Sequence, residues 1–156
     1  MMENNIRFRQ IGRLEHLPDM VLDEMNETLE LTKDNDGLTL NLALNYGSRA
    51  EITDAVRTIA EKVQRGEMQP EEIDEAVISE HLYTAGMPDP DLLIRTAGEM
   101  RVSNYLLWQI SYAELVVSNT LWPDFGVEDL HDAIRAFSKR NRRFGALDNT
   151  NTPAPR

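Results

Sequence analysis

From Leu38 to Tyr46 the chain alternates Leu38, Leu40, Leu42, Leu44 and Tyr46 with Thr39, Asn41, Ala43 and Asn45, a period of two that reads as a strand. Directly behind it, Ser48 with Glu51 makes a capping-box pattern. Ile52, Ala55, Val56, Ile59, Ala60 and Val63 then recur at helical spacing until Gly66. A strand running straight into an amphipathic helix is one step of an α/β fold, so the rest of the chain should repeat the alternation.

It does. Ile6–Ile11 alternates and stops at Gly12, which predicts a strand. Pro18 suits the first position of a helix whose stripe is Met20, Leu22, Met25 and Leu29, broken by Asp34-Asn35-Asp36-Gly37. Pro70 starts a short helix carrying Ile73 and Val77, and Gly86, Pro88 and Pro90 end it. Asp91–Arg95 reads as a short strand buried on both faces, and Leu115–Val117 as another. Between them Ser103 or Asn104 caps a predicted helix through Leu106, Leu107 and Ile110, and Val127, Leu130, Ile134 and Phe137 define a final helix. The expected fold is α/β, a mainly parallel sheet with helices on both faces, in a single domain over residues 1–145. Residues 146–156 form a frayed tail of turn and coil formers. Ligands of such folds lie beyond the carboxyl ends of the strands, which directs attention to Asn45–Arg49 and Arg95–Ser103.

Composition narrows the chemistry. The 156 residues include no cysteine, which excludes disulfides and thiolate nucleophiles. Sixteen basic against 27 acidic residues give a charge of -11, whose general field repels nucleic acid and anionic membranes. No nucleic-acid partner is expected, and any anionic ligand must be held locally. The longest apolar run, Tyr105–Trp108, is far short of a membrane span, and the first residues lack a signal-peptide core, so a cytoplasmic protein is expected. No two of the eight glycines stand closer than ten residues, so neither a dinucleotide fingerprint nor a Walker loop can be written. His16, His81 and His131 are scattered and form no zinc motif.

The segment Leu92–Asn104 points several donors at one place. Arg95 leaves a buried strand, Arg101 follows across a glycine-containing loop, and Ser103 stands at a predicted helix start whose N–H groups favour anions. Two readings stand side by side: a diphosphate pocket, or ion pairs of the arginines with Glu99 and Asp91. Glu114 is a magnesium ligand beside that diphosphate or, on spacing alone, an exposed acid. Arg135, Lys139, Arg140, Arg142 and Arg143, with no acid among them, are a solvated helix end or a binding surface.

Several ordered blocks resemble the C-terminal signature of the cis-prenyltransferases, the undecaprenyl diphosphate synthase-like family. They are Asp91–Thr96, Arg101–Gln109, Ala113–Leu115, Thr120–Phe125 and Arg142–Gly145, and Leu38–Gly47 resembles a central strand of the same family. The resemblance implies a magnesium-dependent condensation of isopentenyl diphosphate with an allylic diphosphate, giving a polyprenyl diphosphate. By position it assigns Arg95, Arg101 and Ser103 to the isopentenyl diphosphate and Glu114 to Mg2+. Arg142, Arg143 and Gly145 match a tail that meets the partner subunit of a homodimer or heterodimer. It also implies no membrane span, with peripheral membrane contact through the lipid product. The family's N-terminal Asp-Gly-Asn-Gly-Arg-type segment, which supplies the catalytic aspartate, has no counterpart, since Asp36-Gly37 is the only Asp-Gly here. The chain therefore resembles the later two-thirds of a family member, truncated at its N-terminus, and no catalytic residue is assigned. Three consequences are weighed: an enzyme by descent, impaired as this chain alone, a non-catalytic partner subunit of a heteromeric cis-prenyltransferase, or a degenerate α/β domain that keeps the family's fold and has lost its chemistry. Ala97 stands where the family usually has glycine.

Overall fold

The computed structural model describes residues 1–140, which gather into two compact units. One comprises Met1–Met87 with Asn104–Leu106, the other Pro88–Ser103 with the chain from Leu107 onward.

In the first unit, β1 (Arg7–Ile11), α1 (Asp19–Thr32) and β2 (Thr39–Ala43) form a βαβ unit, with β1 and β2 parallel in the register Arg7↔Thr39 to Ile11↔Ala43. Parallel neighbours need a crossover, and α1 supplies it. Its stripe packs on β1, where Phe8 and Met25 are buried at about 1.5–3 kcal/mol each. The Phe8 N–H donates to Thr32 Oγ1 at 3.1 Å, and that hydroxyl donates to the Thr28 carbonyl at 2.7 Å. Pro18 lies one position outside the helix rather than at its first residue, and its carbonyl receives the first intrahelical bonds. Past β1, Gly12 has φ +113°, and a Cβ there would stand 2.0 Å from the Leu44 carbonyl oxygen, so only glycine lets the strands continue side by side.

α2 (Ser48–Gln64) follows β2 and packs against α3 (Glu75–His81), which a 3-10 turn over Pro70–Glu72 precedes. Ala55 and Ile59 are buried along α2. The expected capping box is not formed: Ser48 is already helical, and Asn104 does the capping. The Asn104 carbonyl accepts from Ser48 N–H and its Oδ1 from Arg49 N–H, both at 2.9 Å.

The second unit holds β3 (Leu92–Arg95) and β4 (Glu114–Val117), parallel from Leu92↔Glu114 to Arg95↔Val117, with α4 (Val127–Ser138) against β4. The α/β character and the parallel pairing agree with the sequence. Among the described residues the parallel strands form two two-stranded ladders. Two details are corrected. All four residues of β3 are half-buried, not enclosed on both faces. No helix starts at Ser103 or Asn104, because Ser103, Asn104 and Leu106 take φ of 55°, 59° and 47°, a left-handed backbone that cannot propagate an α-helix. On α4 only Ala133 is buried, while Val127, Leu130 and Ile134 are exposed. Arg142, Arg143, Gly145 and the expected tail over 146–156 lie outside the described residues.

Candidate functional site

Arg95 is the last residue of β3, and its carbonyl accepts from Ser118 N–H at 2.8 Å, so the sheet ladder fixes where its side chain begins. The chain then turns through Ala97 (φ 63°) and Gly98 (φ 65°). Their amides donate to the Thr120 and Ser118 carbonyls, both at 2.9 Å, which pins this half of the loop to the segment after β4. The reversal brings Glu99 back over Arg95, and Arg101 arrives from the other side. Arg95 Nη2 donates to Glu99 Oε2 and Arg101 Nη2 to Glu99 Oε1, so each carboxylate oxygen takes one guanidinium. The Arg95 guanidinium, foremost, and Arg101 hold the Glu99 carboxyl below the usual carboxylate range. Arg95 Nε is buried without a hydrogen-bond partner.

Arg95 and Arg101 thus meet on an internal carboxylate, the ion-pair arrangement that stood beside the diphosphate pocket as the second reading of the sequence. Of the two acids considered as ion-pair partners, Glu99 takes both arginines. Ser103 follows two residues after Arg101 without the helix N-terminus expected to accompany it.

Glu114 is placed differently. It is the first residue of β4 and pairs with Leu92, whereas Arg95 pairs with Val117, so the two lie three rungs apart at opposite ends of the ladder. At strand rise that is about 10 Å along the sheet. Glu114 Oε2 accepts from Arg140 Nη1 at 2.7 Å, and the same nitrogen donates to the Leu115 carbonyl at 2.9 Å. Among the described residues no group of three His, Asp or Glu could hold a metal ion. One carboxylate already paired to a guanidinium does not make a magnesium site, and no step below passes through a metal.

The first unit has its own polar cluster beyond the carboxyl ends of its strands. Arg13, just after β1, grips Asp54 of α2 with Nε at 2.9 Å and Nη2 at 2.7 Å, and the Tyr83 hydroxyl donates to the same carboxylate. Arg13 above all, then Tyr83, keeps the Asp54 carboxyl below its ordinary range. Glu51 has 0% of its surface exposed; it accepts from the Tyr46 hydroxyl at 2.5 Å and from Tyr83 N–H at 2.9 Å. Burial, foremost, and the Glu51 hydrogen bond push the Tyr46 hydroxyl well above the usual tyrosine value. Sequence reading missed this cluster. The available signal was Arg13 itself, a guanidinium just past a strand end as Arg95 is.

A second missed feature is a cleft of about 420 Å³ between α1 and the sheet of the same unit, walled by Phe8, Met20, Met25, Leu42 and Leu44. Its lining is almost wholly apolar, and Met20 is 75% exposed at its edge.

The model of a prenyltransferase family described as "Putative undecaprenyl diphosphate synthase" matches residues 1–145. The isoprenyl transferase of Chlorobaculum tepidum is 52% identical over 145 residues, a match covering 93% of this chain and 55% of that protein. That of Porphyromonas gingivalis is 50% identical, with 93% of this chain and 57% of that protein covered. Among solved structures, lavandulyl diphosphate synthase from Lavandula x intermedia in complex with dimethylallyl diphosphate is similar with a TM-score of 0.89 and 42% identity. The match covers 92% of this chain and 61% of that one. A probable undecaprenyl diphosphate synthase from Campylobacter jejuni gives a TM-score of 0.78 at 37% identity, over 92% of this chain and 65% of that one. The chain spans a little over half the length of the curated relatives it matches.

Proposed function

We propose that this chain, which belongs to the undecaprenyl diphosphate synthase family of prenyltransferases, carries the isopentenyl diphosphate end of a cis-prenyl transfer. In that reaction a carbon–carbon bond forms between isopentenyl diphosphate and the allylic diphosphate, the allylic C–O bond breaks so that diphosphate leaves with its electron pair, and the isopentenyl unit loses a proton. The observation that carries the reading is the convergence of Arg95 and Arg101 on one anionic group beyond the carboxyl end of β3. Two planar guanidiniums meeting at one point are suited to a diphosphate, which offers each of them paired oxygens. Arg95 Nε, buried without a partner, adds a donor that a larger anion would use. Ser103 belongs to the same stretch and would add a hydroxyl once the anion is seated. The apolar cleft of the first unit suits a hydrocarbon in chemistry and volume.

Magnesium belongs to this proposal only as a counter-ion that the diphosphate would bring with it, and no described residue is assigned to hold it. The arginines bind and orient the phosphate oxygens, and their ion pairs to Glu99 keep the guanidiniums in place beforehand. The Arg142, Arg143 and Gly145 tail is proposed to complete the site of a second subunit, in a homodimer or heterodimer. No helix among the described residues is long and apolar enough to cross a membrane. Contact with a membrane is proposed only through the lipid product of a reaction carried out in the cytoplasm.

The test is calorimetric titration of isopentenyl diphosphate, with magnesium present, into the parent chain, Arg95→Ala and Arg101→Ala. Each truncation should weaken binding at least tenfold, about 1.4 kcal/mol. Equal binding by all three rejects the assignment.

A further inference from the structure

The two arginines of the cradle already share an occupant. We propose that Glu99 is a built-in competitor of the diphosphate, a carboxylate that fills the anion position between Arg95 and Arg101 and must swing out before the ligand can enter. The inference rests on the cradle reading above and adds to it a residue that sets the affinity and selectivity of the pocket.

Four observations support it. First, the contacts are those an anionic ligand would make: one guanidinium on each of two oxygens, from residues on either side of the carboxylate in sequence. Carboxylate and phosphate oxygens are alternative acceptors for the same donors, so the two occupants exclude each other. Second, Glu99 leaves the cradle incompletely used. Its two oxygens each take one Nη2, and Arg95 Nε stays buried and unpaired, whereas a phosphate group brings a third oxygen. The internal ligand is therefore weaker than the external one.

Third, Glu99 has somewhere to go. Its side chain is 31% exposed, and the next residue, Met100, is 80% exposed. Fourth, the backbone places a hinge beside it. The Ala97 and Gly98 amides are anchored at 2.9 Å, but the Glu99 amide reaches only the Thr96 carbonyl, at 3.5 Å. The loop is thus held firmly up to Gly98 and loosely from Glu99 on, so the carboxylate can turn outward while Arg95 stays on its strand.

Population arithmetic gives the expected size. When the competent state is a fraction of the whole, apparent affinity falls by that fraction, and two partly exposed ion pairs correspond to about a tenfold penalty. The experiment titrates inorganic diphosphate into the full chain by calorimetry at low salt, for the parent, Glu99→Gln, Glu99→Asp, Asp132→Asn and Arg95→Ala with Glu99→Gln. Glu99→Gln should bind about tenfold tighter than the parent. Glu99→Asp keeps the charge but is one methylene shorter and cannot reach both guanidiniums, so it should bind about threefold tighter. Asp132→Asn removes a negative charge elsewhere in the same unit and should stay within about twofold of the parent. The double variant should lose the gain.

If the parent binds and Glu99→Gln binds no tighter, or if Asp132→Asn gains as much, the gate is overturned and the cradle stands. If neither the parent nor Glu99→Gln binds diphosphate, the cradle reading falls and this inference falls with it.

Discussion

Each unit joins two parallel strands through a crossover, and the crossovers are opposites. Between β1 and β2 the chain forms α1, fourteen residues of regular helix that bury Met25 and Thr32 against the sheet. Between β3 and β4 it forms no helix at all, only turns, and it places Ala97, Ser103, Asn104 and Leu106 in left-handed conformations. The first crossover is scaffold. The second carries the arginines and is largely exposed, and its Ala97 and Gly98 amides bond to the segment after β4 while the bonds it makes to itself, such as Ala113 N–H to the Ile110 carbonyl, are isolated turns. Irregular loops held by a rigid scaffold are where binding residues concentrate, which is why the proposed cradle is sought in the second crossover and not in the first.

The largest test of that contrast is in the cores. Phe8→Ala should cost about 4 kcal/mol and Leu93→Ala about 2, since a half-buried side chain has less to lose. Both tryptophans, Trp108 and Trp122, lie in the second unit, so their fluorescence reports that unit, whereas far-UV circular dichroism is weighted towards the three helices of the first. Urea melts read by both probes will differ for Phe8→Ala if the units unfold separately. Coincident curves would make the chain a single cooperative unit and blunt the comparison.

Next come the two buried-against-exposed glutamates. Glu51→Ala strands the Tyr46 hydroxyl and the Tyr83 N–H, and should cost about 3 kcal/mol. Glu99→Ala should leave the urea midpoint close to that of the parent, because partly exposed ion pairs contribute little. Equal urea midpoints for the two variants would remove the distinction between framework and cradle.

Both glutamates also measure what could be read in advance. The period of two in β2, the stripes of α1 and α2 and the parallel ladders were legible, because periodicity is a local record of which face is buried. Arg95 and Arg101 were legible because a strand end followed by a glycine turn gathers donors. The helix at Ser103 was misread because its capping signal is real but serves another element: Asn104 caps α2, 55 residues away in sequence, as no local pattern reveals. Glu51 fitted a capping box equally well, and only tertiary packing turned it into a buried acceptor. Glu114 was assigned to Mg2+ only by the family resemblance, its spacing alone favouring an exposed acid, and strand register places it three rungs from Arg95.

A pH titration separates the units in another way. The Asp54 carboxyl is held low chiefly by Arg13. A depressed native value means that its contribution to stability is complete above the ordinary aspartate value of about 3.9, and disappears as the pH falls through the lower native value. Asp54→Asn should therefore lower the urea midpoint at neutral pH and flatten its decline below about pH 4. A parent-like acid limb in the variant would mean that Asp54 is not responsible for it.

The smallest effect has the most to say about the loop, because one substitution should change sign between the units. Ala55 sits in the middle of α2, where glycine frees the unfolded chain and leaves a small gap, so Ala55→Gly should destabilise by about 1–2 kcal/mol. Ala97 is held at φ 63°, where a β-carbon costs about 1–2 kcal/mol in steric strain and glycine costs none. Glycine also adds about 0.4–1 kcal/mol of unfolded-state entropy. Ala97→Gly should therefore be stabilising by about 0.5 kcal/mol, the difference between the two. The same change should loosen the anchored half of the hinge beside Glu99 and shift diphosphate affinity by no more than about threefold. Destabilisation of Ala97→Gly by as much as Ala55→Gly would show that the loop is not strained and that its left-handed turn contributes nothing to holding Glu99 in the cradle.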